Sequence, residues 1–121
     1  MAGQLTIDTL KASSGVFATQ NAMTGIASAW VTYKVSSAQA ILASFNVSSV
    51  TYVSTGKFNI NLTTAVADAN WSCVAGTSVN GVYAGVDNSR TMSTTAIPIV
   101  CDQTNNLVQI DVAQAYAVIY R

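Results

Sequence analysis

The chain has 121 residues with five Lys and Arg, five Asp and no His, so 8% of its residues are charged and the formal net charge is zero. An ordinary soluble domain carries charge on about a quarter of its residues, and a nucleic-acid-binding face needs a cluster of Lys and Arg that this chain lacks. Because it has neither His nor Glu, the chain lacks the imidazole bases, His ligands and Glu pairs on which most catalysis depends. We therefore expect no enzyme, no nucleic-acid partner, no cofactor and no metal.

The first 25 residues differ from the rest and are predicted to form an extended N-terminal arm. Its apolar positions, Leu5, Ile7 and Leu10, keep neither a long strand period nor a helical one. They are the candidate docking residues, and we expect the arm to gain order against a partner surface. The alternative is a first edge strand packed on its own domain. The segment lacks a basic start followed by an apolar core, so no signal peptide is expected.

Residues 26–121 are predicted to form a single domain, an all-β antiparallel sandwich. Val, Ile and Thr account for 37 of the 121 residues, which favours pleated strands over helices. The Ala and Gln residues near the C-terminus favour a helix, but Tyr116, Val118 and Tyr120 alternate with other residues as in a strand. Besides the hairpin described next, short strands are predicted at 29–33, 71–75, 79–84, 96–100, 107–112 and 115–120.

Residues 41–62 show the clearest strand pattern and are predicted to form a hairpin. Apolar residues alternate with polar ones on both sides of Ser54-Thr55-Gly56, where the glycine suits a tight turn. A period of two places alternate residues on opposite faces of a strand. The pattern therefore predicts that Phe45, Phe58 and Ile60 face the core.

The cysteines and aspartates offer little chemistry. Cys73 and Cys101 are interpreted as buried free thiols; a disulfide stays open, since spacing does not show whether their Cα atoms lie within about 7 Å. Asp68 is interpreted as a turn residue that bonds its own backbone. A Ca²⁺ site shared by Asp87, Asn88 and Asp102 is a minor alternative, without the spacing of a known calcium loop.

Aromatic residues are the remaining candidates for a binding surface. Tyr83 lies in the Gly-rich stretch at 80–85, and with Arg90 it is a candidate receptor contact. Five other aromatic residues fall within predicted strands, where core or subunit-interface positions are the commoner role; they are Trp30, Tyr33, Trp71, Tyr116 and Tyr120.

Scarce charge combined with 50% hydrophobic residues predicts self-association. Proteins that stay in solution alone usually carry dispersed charge and a net charge away from zero. We expect a homo-oligomer, with a trimer as the first expectation. No membrane association is expected, because the longest apolar runs fall well short of the roughly 20 residues that a spanning helix needs.

Four segments together resemble a small domain found in virion proteins of tailed bacteriophages, including cyanophages, at tail-fibre ends and on heads. The segments are AWVTY at 29–33, ASFNVSSVT at 43–51, TGKFNINLTTAV at 55–66 and DANW at 68–71. The resemblance covers residues 29–75 in order, and the arm sequence QLTIDTLK at 4–11 is similar to openings of such proteins.

The resemblance implies a structural protein of a virion, assembled in the bacterial cytoplasm, where thiols stay reduced. The first expectation is a capsid decoration or cement protein that binds the major capsid protein and itself through its arm. The alternative is a receptor-binding knob of a tail fibre or tail appendage, in which loops around Tyr83 and Arg90 contact a host glycan or protein.

Overall fold

The computed structural model describes residues 9–12, 15–18, 27–35 and 39–121, with side chains from residue 27 onward, and every regular element among them is a β-strand. None of the described residues forms a helix of the length and apolarity needed to cross a membrane. The ten strands are β1 (Thr9–Ala12), β2 (Gly15–Ala18), β3 (Ala29–Lys34), β4 (Ala40–Phe45), β5 (Val47–Ser54), β6 (Lys57–Leu62), β7 (Ser72–Thr77), β8 (Val82–Val86), β9 (Ala96–Gln103) and β10 (Gln114–Tyr120).

Eight of the strands form two four-stranded antiparallel sheets that pack together. Sheet I has the order β4-β3-β10-β7, and sheet II has the order β5-β6-β9-β8. β1 and β2 pair with each other as a separate two-stranded hairpin. The predicted all-β sandwich is confirmed, and so is the strand assignment at the C-terminus, where β10 lies between β3 and β7.

The core lies between the sheets and is built by strict alternation. On β3, residues 29, 31 and 33 are buried; on β6, residues 58, 60 and 62 are; and β10 buries residues 115, 117 and 119. The rings of Tyr33 and Phe58 meet edge to face with centroids 5.9 Å apart, which links sheet I to sheet II. The predicted inward positions of Phe58 and Ile60 are confirmed, with exposures of 1% and 0%.

The predicted hairpin at 41–62 is wrong in its first part. Residues 41–45 belong to β4 in sheet I, and only β5 and β6 form the hairpin in sheet II. The chain changes sheets at Asn46, whose φ of 55° is left-handed, so Phe45 stays on sheet I beside Trp30 and is 55% exposed. The prediction that Phe45 faces the core is therefore also wrong. The turn at Gly56, with φ of 69°, is as expected.

The predicted strand at 107–112 is also wrong. Its one sheet contact is a bridge between Gln109 and Asp102, and Leu107 has a left-handed φ of 54° that interrupts an extended chain. β9 pairs with β6 only as far as Val100, and beyond that residue the segment meets β9 over this single bridge, with hydrogen bonds of 3.0 Å from the nitrogen of Gln103 to the oxygen of Val108 and from the nitrogen of Ile110 to the oxygen of Cys101. The segment instead closes the end of sheet II over Gly56, where an added Cβ would lie 2.8 Å from the backbone nitrogen of Ile110.

Two phenylalanine truncations test this division between core and surface. Phe58→Ala removes a fully buried ring and should lower the free energy of unfolding by about 3–5 kcal/mol. Phe45→Ala is the matched control, because the same ring is removed from an exposed position, and should change it by about 0.5 kcal/mol or less. Urea denaturation at low protein concentration measures both. Comparable losses in the two variants would contradict the assigned faces.

Candidate interaction surface

A row of apolar side chains crosses the outer face of sheet I from one edge to the other. Val74 on β7 pairs with Val118 on β10, Val118 pairs with Trp30 on β3, and Trp30 pairs with Phe45 on β4. Paired residues of neighbouring strands project from the same face. Val74, Phe45 and Trp30 are 65%, 55% and 39% exposed. We call these four residues the apolar row.

Two tyrosines on β10 widen the apolar row on either side. Tyr116 precedes Val118 by two residues, Tyr120 follows it by two, and both are exposed. The ring of Tyr116 lies over Gly76 on β7, since a Cβ at that glycine would be 2.4 Å from the ring carbon Cε2. The absence of a side chain at Gly76 therefore lets the ring lie flat on the sheet and extend the apolar surface.

Charged groups on this side of sheet I are confined to its two ends. Lys34 ends β3 at one end. At the other, Nε of Arg121 donates a hydrogen bond to Oδ1 of Asp68 at 2.7 Å, and Nη2 contacts the second carboxylate oxygen. This hydrogen bonding with Arg121 lowers the pKa of Asp68. The backbone nitrogen of Asn70 also donates to Asp68 at 2.7 Å, as the predicted turn requires. The middle of the face is uncharged.

The outer face of sheet II is polar by contrast. Asn61 on β6 donates through Nδ2 to the hydroxyls of Ser49 and Thr51 on β5, at 2.9 and 2.8 Å. Neighbouring outward positions of β6 carry Asn59 and Lys57, which alternate with the buried residues of that strand. The two outer faces of the sandwich therefore differ in character: the middle of sheet I presents apolar side chains, whereas sheet II presents hydroxyl, amide and charged groups, with Tyr83 and Val53 as exposed exceptions.

Arg90 lies in the loop after β8 and forms a hydrogen-bond network with sheet II. Its Nε donates to Oδ2 of Asp87 at 2.7 Å, and its Nη1 donates to Oδ1 of Asn59 at 2.5 Å. Its Nη2 donates to the backbone oxygens of Phe58 and Ile99, at 2.9 and 2.8 Å, and so ties β6 to β9. A receptor contact by Arg90 stays a prediction, and these bonds assign the guanidinium an internal role.

Asp87 is the buried anion of this hydrogen-bond network. Burial alone would raise its pKa, but hydrogen bonds from Ser89 and Arg90 outweigh that effect and lower the pKa to about 2. Lys57 adds a more distant ion pair, with Nζ 3.6 Å from Oδ2. The carboxylate is thus committed to holding the loop. Among the described residues, no group of three or more His, Cys, Asp or Glu side chains is arranged to hold a metal ion.

Tyr83, the other candidate receptor contact, is exposed on β8 and fixed at its hydroxyl. Its OH donates to Oδ2 of Asp102 at 2.9 Å, and this hydrogen bond raises the pKa of Tyr83. Asp102 is 7% exposed, and its Oδ1 has no hydrogen-bond partner among the described residues. Tyr83 therefore presents a held ring at the surface, 42% exposed.

The predicted docking residues fall largely beyond what the structure describes. Leu5 and Ile7 lie outside the described residues, and Leu10 lies in β1, for which only the backbone is described. The predicted arm therefore stays a prediction. Trp30, Tyr116 and Tyr120, which the sequence left between core and interface, lie on the exposed outer face, and no sequence signal separated them from the buried Tyr33 and Trp71.

The two cysteines and Tyr33 have ionisable groups in or beside the core: Cys101 and Tyr33 are buried, and Cys73 is half-buried. Both cysteines are free, and burial raises the pKa of Cys101 to about 12 and that of Cys73 to about 11, so both are thiols at neutral pH. Burial also raises the pKa of Tyr33, whose hydroxyl has no hydrogen-bond partner among the described residues. Tyr33 and Cys101 belong to the core, and Cys73 packs against it.

Lowering the pH tests the contribution of the hydrogen-bond network around Asp87 to stability. Its folded-state pKa lies below the ordinary value, so its contribution is complete above about pH 4 and is lost as the pH falls towards 2. A depression of that size corresponds to about 2 kcal/mol. Asp87→Asn should cost about that much at pH 7 and flatten the dependence of unfolding free energy on pH between 4 and 2. Asp68→Asn, at an exposed ion pair, is the control and should change little. An unchanged profile in Asp87→Asn would contradict this role.

Comparison of the chain with known protein families, with curated proteins and with solved structures found no match. Function is therefore inferred from the two outer faces of the sandwich and from the sequence.

Proposed function

We propose that this protein is a structural subunit of a tailed-bacteriophage virion, a capsid decoration or cement protein that binds the major capsid protein and further copies of itself. The observation that carries the proposal is the apolar row. Exposed contiguous apolar surface marks interaction sites in soluble proteins, and three of the four side chains in this row are more than a third exposed.

The scarcity of charged residues favours assembly over a monomeric state in solution. Several of the few charged side chains are bonded within the chain: Asp87 with Arg90 and Lys57, and Asp68 with Arg121. Because these charges are paired within the chain and its net charge is zero, two copies experience no long-range electrostatic repulsion. Close packing of many copies on a shell therefore costs little electrostatic energy.

The contrast between the two outer faces favours decoration over a tail knob. A subunit that lies on a shell needs one side that packs against protein and one side that meets water. Sheet I supplies the first through the apolar row, and sheet II supplies the second through its Asn, Ser and Thr network. We expect a homo-oligomer, with a trimer as the first expectation, located in the virion.

A receptor-binding knob of a tail fibre or appendage is the second candidate, and Tyr83 favours it. Tyr supplies a large contact area at low conformational cost, and a ring already held in place loses little entropy on binding. The hydrogen bond to Asp102 holds Tyr83 in this way on β8. Binding of the isolated protein to host cells, abolished by Tyr83→Ala, would support the knob over decoration.

Lysine substitution of two valines tests the docking role of the apolar row. Val74→Lys places a charge in the row and should reduce attachment to particles lacking this protein by at least tenfold, because burying an unpaired charge is costly. Val108→Lys is the matched control, since Val108 is similarly exposed, at 53% against 65%, but lies in the loop at 104–113. Co-sedimentation with particles measures attachment. Equal binding by both variants would refute docking through the row.

Removal of residues 1–25 tests the arm. If the arm only docks, the truncated sandwich keeps its melting temperature and loses attachment to the particle. Circular dichroism follows folding, and electron microscopy of labelled particles follows attachment and distinguishes a head position from a tail position. A truncated chain that fails to fold would show that the arm is an integral part of the domain.

A further inference from the structure

A groove opens between β4 and β5, the two edge strands on one side of the sandwich. Its volume is about 340 Å³, and it is lined from sheet I by Lys34, Ala40 and Ile41 and from sheet II by residues 48–50. β4 pairs with β3 alone and β5 with β6 alone, so each strand has one unpaired edge within the described chain. The opposite side of the sandwich is linked, since the hydroxyl of Thr77 on β7 donates to the backbone oxygen of Val82 on β8.

The groove has the features of a site for an added strand. Unpaired edge strands recruit extended segments through their free N–H and C=O groups, and natural proteins usually block them with charge. No residue between Lys34 and Lys57 is charged, so neither edge is protected in that way. Ile41 and Val50 pack against the core from the two sheets and are the apolar lining residues. A cavity of about 150 Å³ holds benzene, so this volume accommodates two aliphatic side chains.

Charge indicates which segment occupies the groove. Among the described residues, Lys34 forms no ion pair, whereas Lys57, Arg90 and Arg121 each have a carboxylate partner. Asp8 is the only acidic residue that precedes Asp68 in the sequence. It ends the stretch Leu-Thr-Ile-Asp at 5–8, in which two aliphatic residues alternate with two polar ones.

We propose that residues 5–8 of a second copy add as a strand to the free edge of β4, with Leu5 and Ile7 in the groove and Asp8 against Lys34. The proposal rests on the self-association contained in the proposed function and names the surface that receives the arm. In an extended segment, residues 5 and 7 share one face and residues 6 and 8 share the other. Asp8 therefore lies on the face opposite the aliphatic pair, away from the core.

Pairing on β4 places this acid within reach of its partner. Lys34 pairs directly with Ala40, the first residue of β4, and it lies on the outer face because the preceding Tyr33 points into the core. A strand added beyond β4 lies two strand spacings from β3, about 10 Å. The methyl group of Ala40 leaves the space above it open, so the long Lys34 side chain spans that distance to the carboxylate.

Charge exchange in the full-length chain tests the proposal. Asp8→Lys reverses the charge of the arm, and Lys34→Glu reverses that of the groove. When two copies of the same variant meet, the arm and the groove therefore carry charges of the same sign and repel each other. Each should weaken self-association about tenfold in dissociation constant, measured by analytical ultracentrifugation. An equimolar mixture should restore association between unlike copies, because in a contact between unlike copies the arm meets a groove of opposite charge. Native mass spectrometry should find the mixed pair in excess over either like pair.

The proposal would be overturned by a wild-type chain that stays monomeric or by single variants that associate normally. It would also be overturned if association recovered in a chain carrying both substitutions but not in the mixture, because each arm would then fill its own groove. Lys11→Glu is the control, since it changes net charge as Lys34→Glu does and should alter self-association by less than about twofold. The proposed function has a separate test, because Val74→Lys measures particle attachment through the apolar row.

Discussion

The corner at Asn46 is the constraint on which the arrangement of surfaces depends. Its side chain donates to the backbone oxygens of Ser28 and Thr64, both at 3.0 Å, and accepts from the nitrogen of Thr64 at 2.7 Å. These bonds join the start of β3 to the end of β6 and hold a left-handed residue in place. Asn tolerates this conformation better than most residues. The corner sends β4 and β5 into different sheets.

Two surfaces follow from that corner. Because β4 stays in sheet I, Phe45 lines up with Trp30 and completes the apolar row. Because β5 leaves for sheet II, the two consecutive strands become edges on the same side of the sandwich, and the groove lies between them. A continuous hairpin at 41–62 would have produced neither surface. The proposed contacts with a shell and with a neighbouring copy therefore share one local cause.

Sheet II is held together by hydrogen bonds from a few charged side chains. Arg90 spans β6 and β9, and Asp111 accepts from the backbone nitrogen of Gly56 at 2.8 Å and from the hydroxyl of Tyr52 at 3.2 Å. Several charged side chains thus serve as internal connectors. Hydrogen bonds to charged groups contribute more than neutral ones, so a chain with few charges gains stability by using them in this way.

The sequence by itself determined the fold class, the strands with strict alternation and the turn at Gly56, because side-chain periodicity and turn chemistry are local properties of the chain. It also supported the interpretation of Asp68 as a turn residue. Only the tertiary structure decided that Phe45 lies outside, that residues 107–112 form no strand, and that Arg90 binds the backbone of two strands. Each of these outcomes depends on which strands are neighbours in the sheets, which local sequence does not specify. Periodicity alone also could not separate the buried Tyr33 from the exposed Trp30, because both faces of β3 carry an aromatic residue.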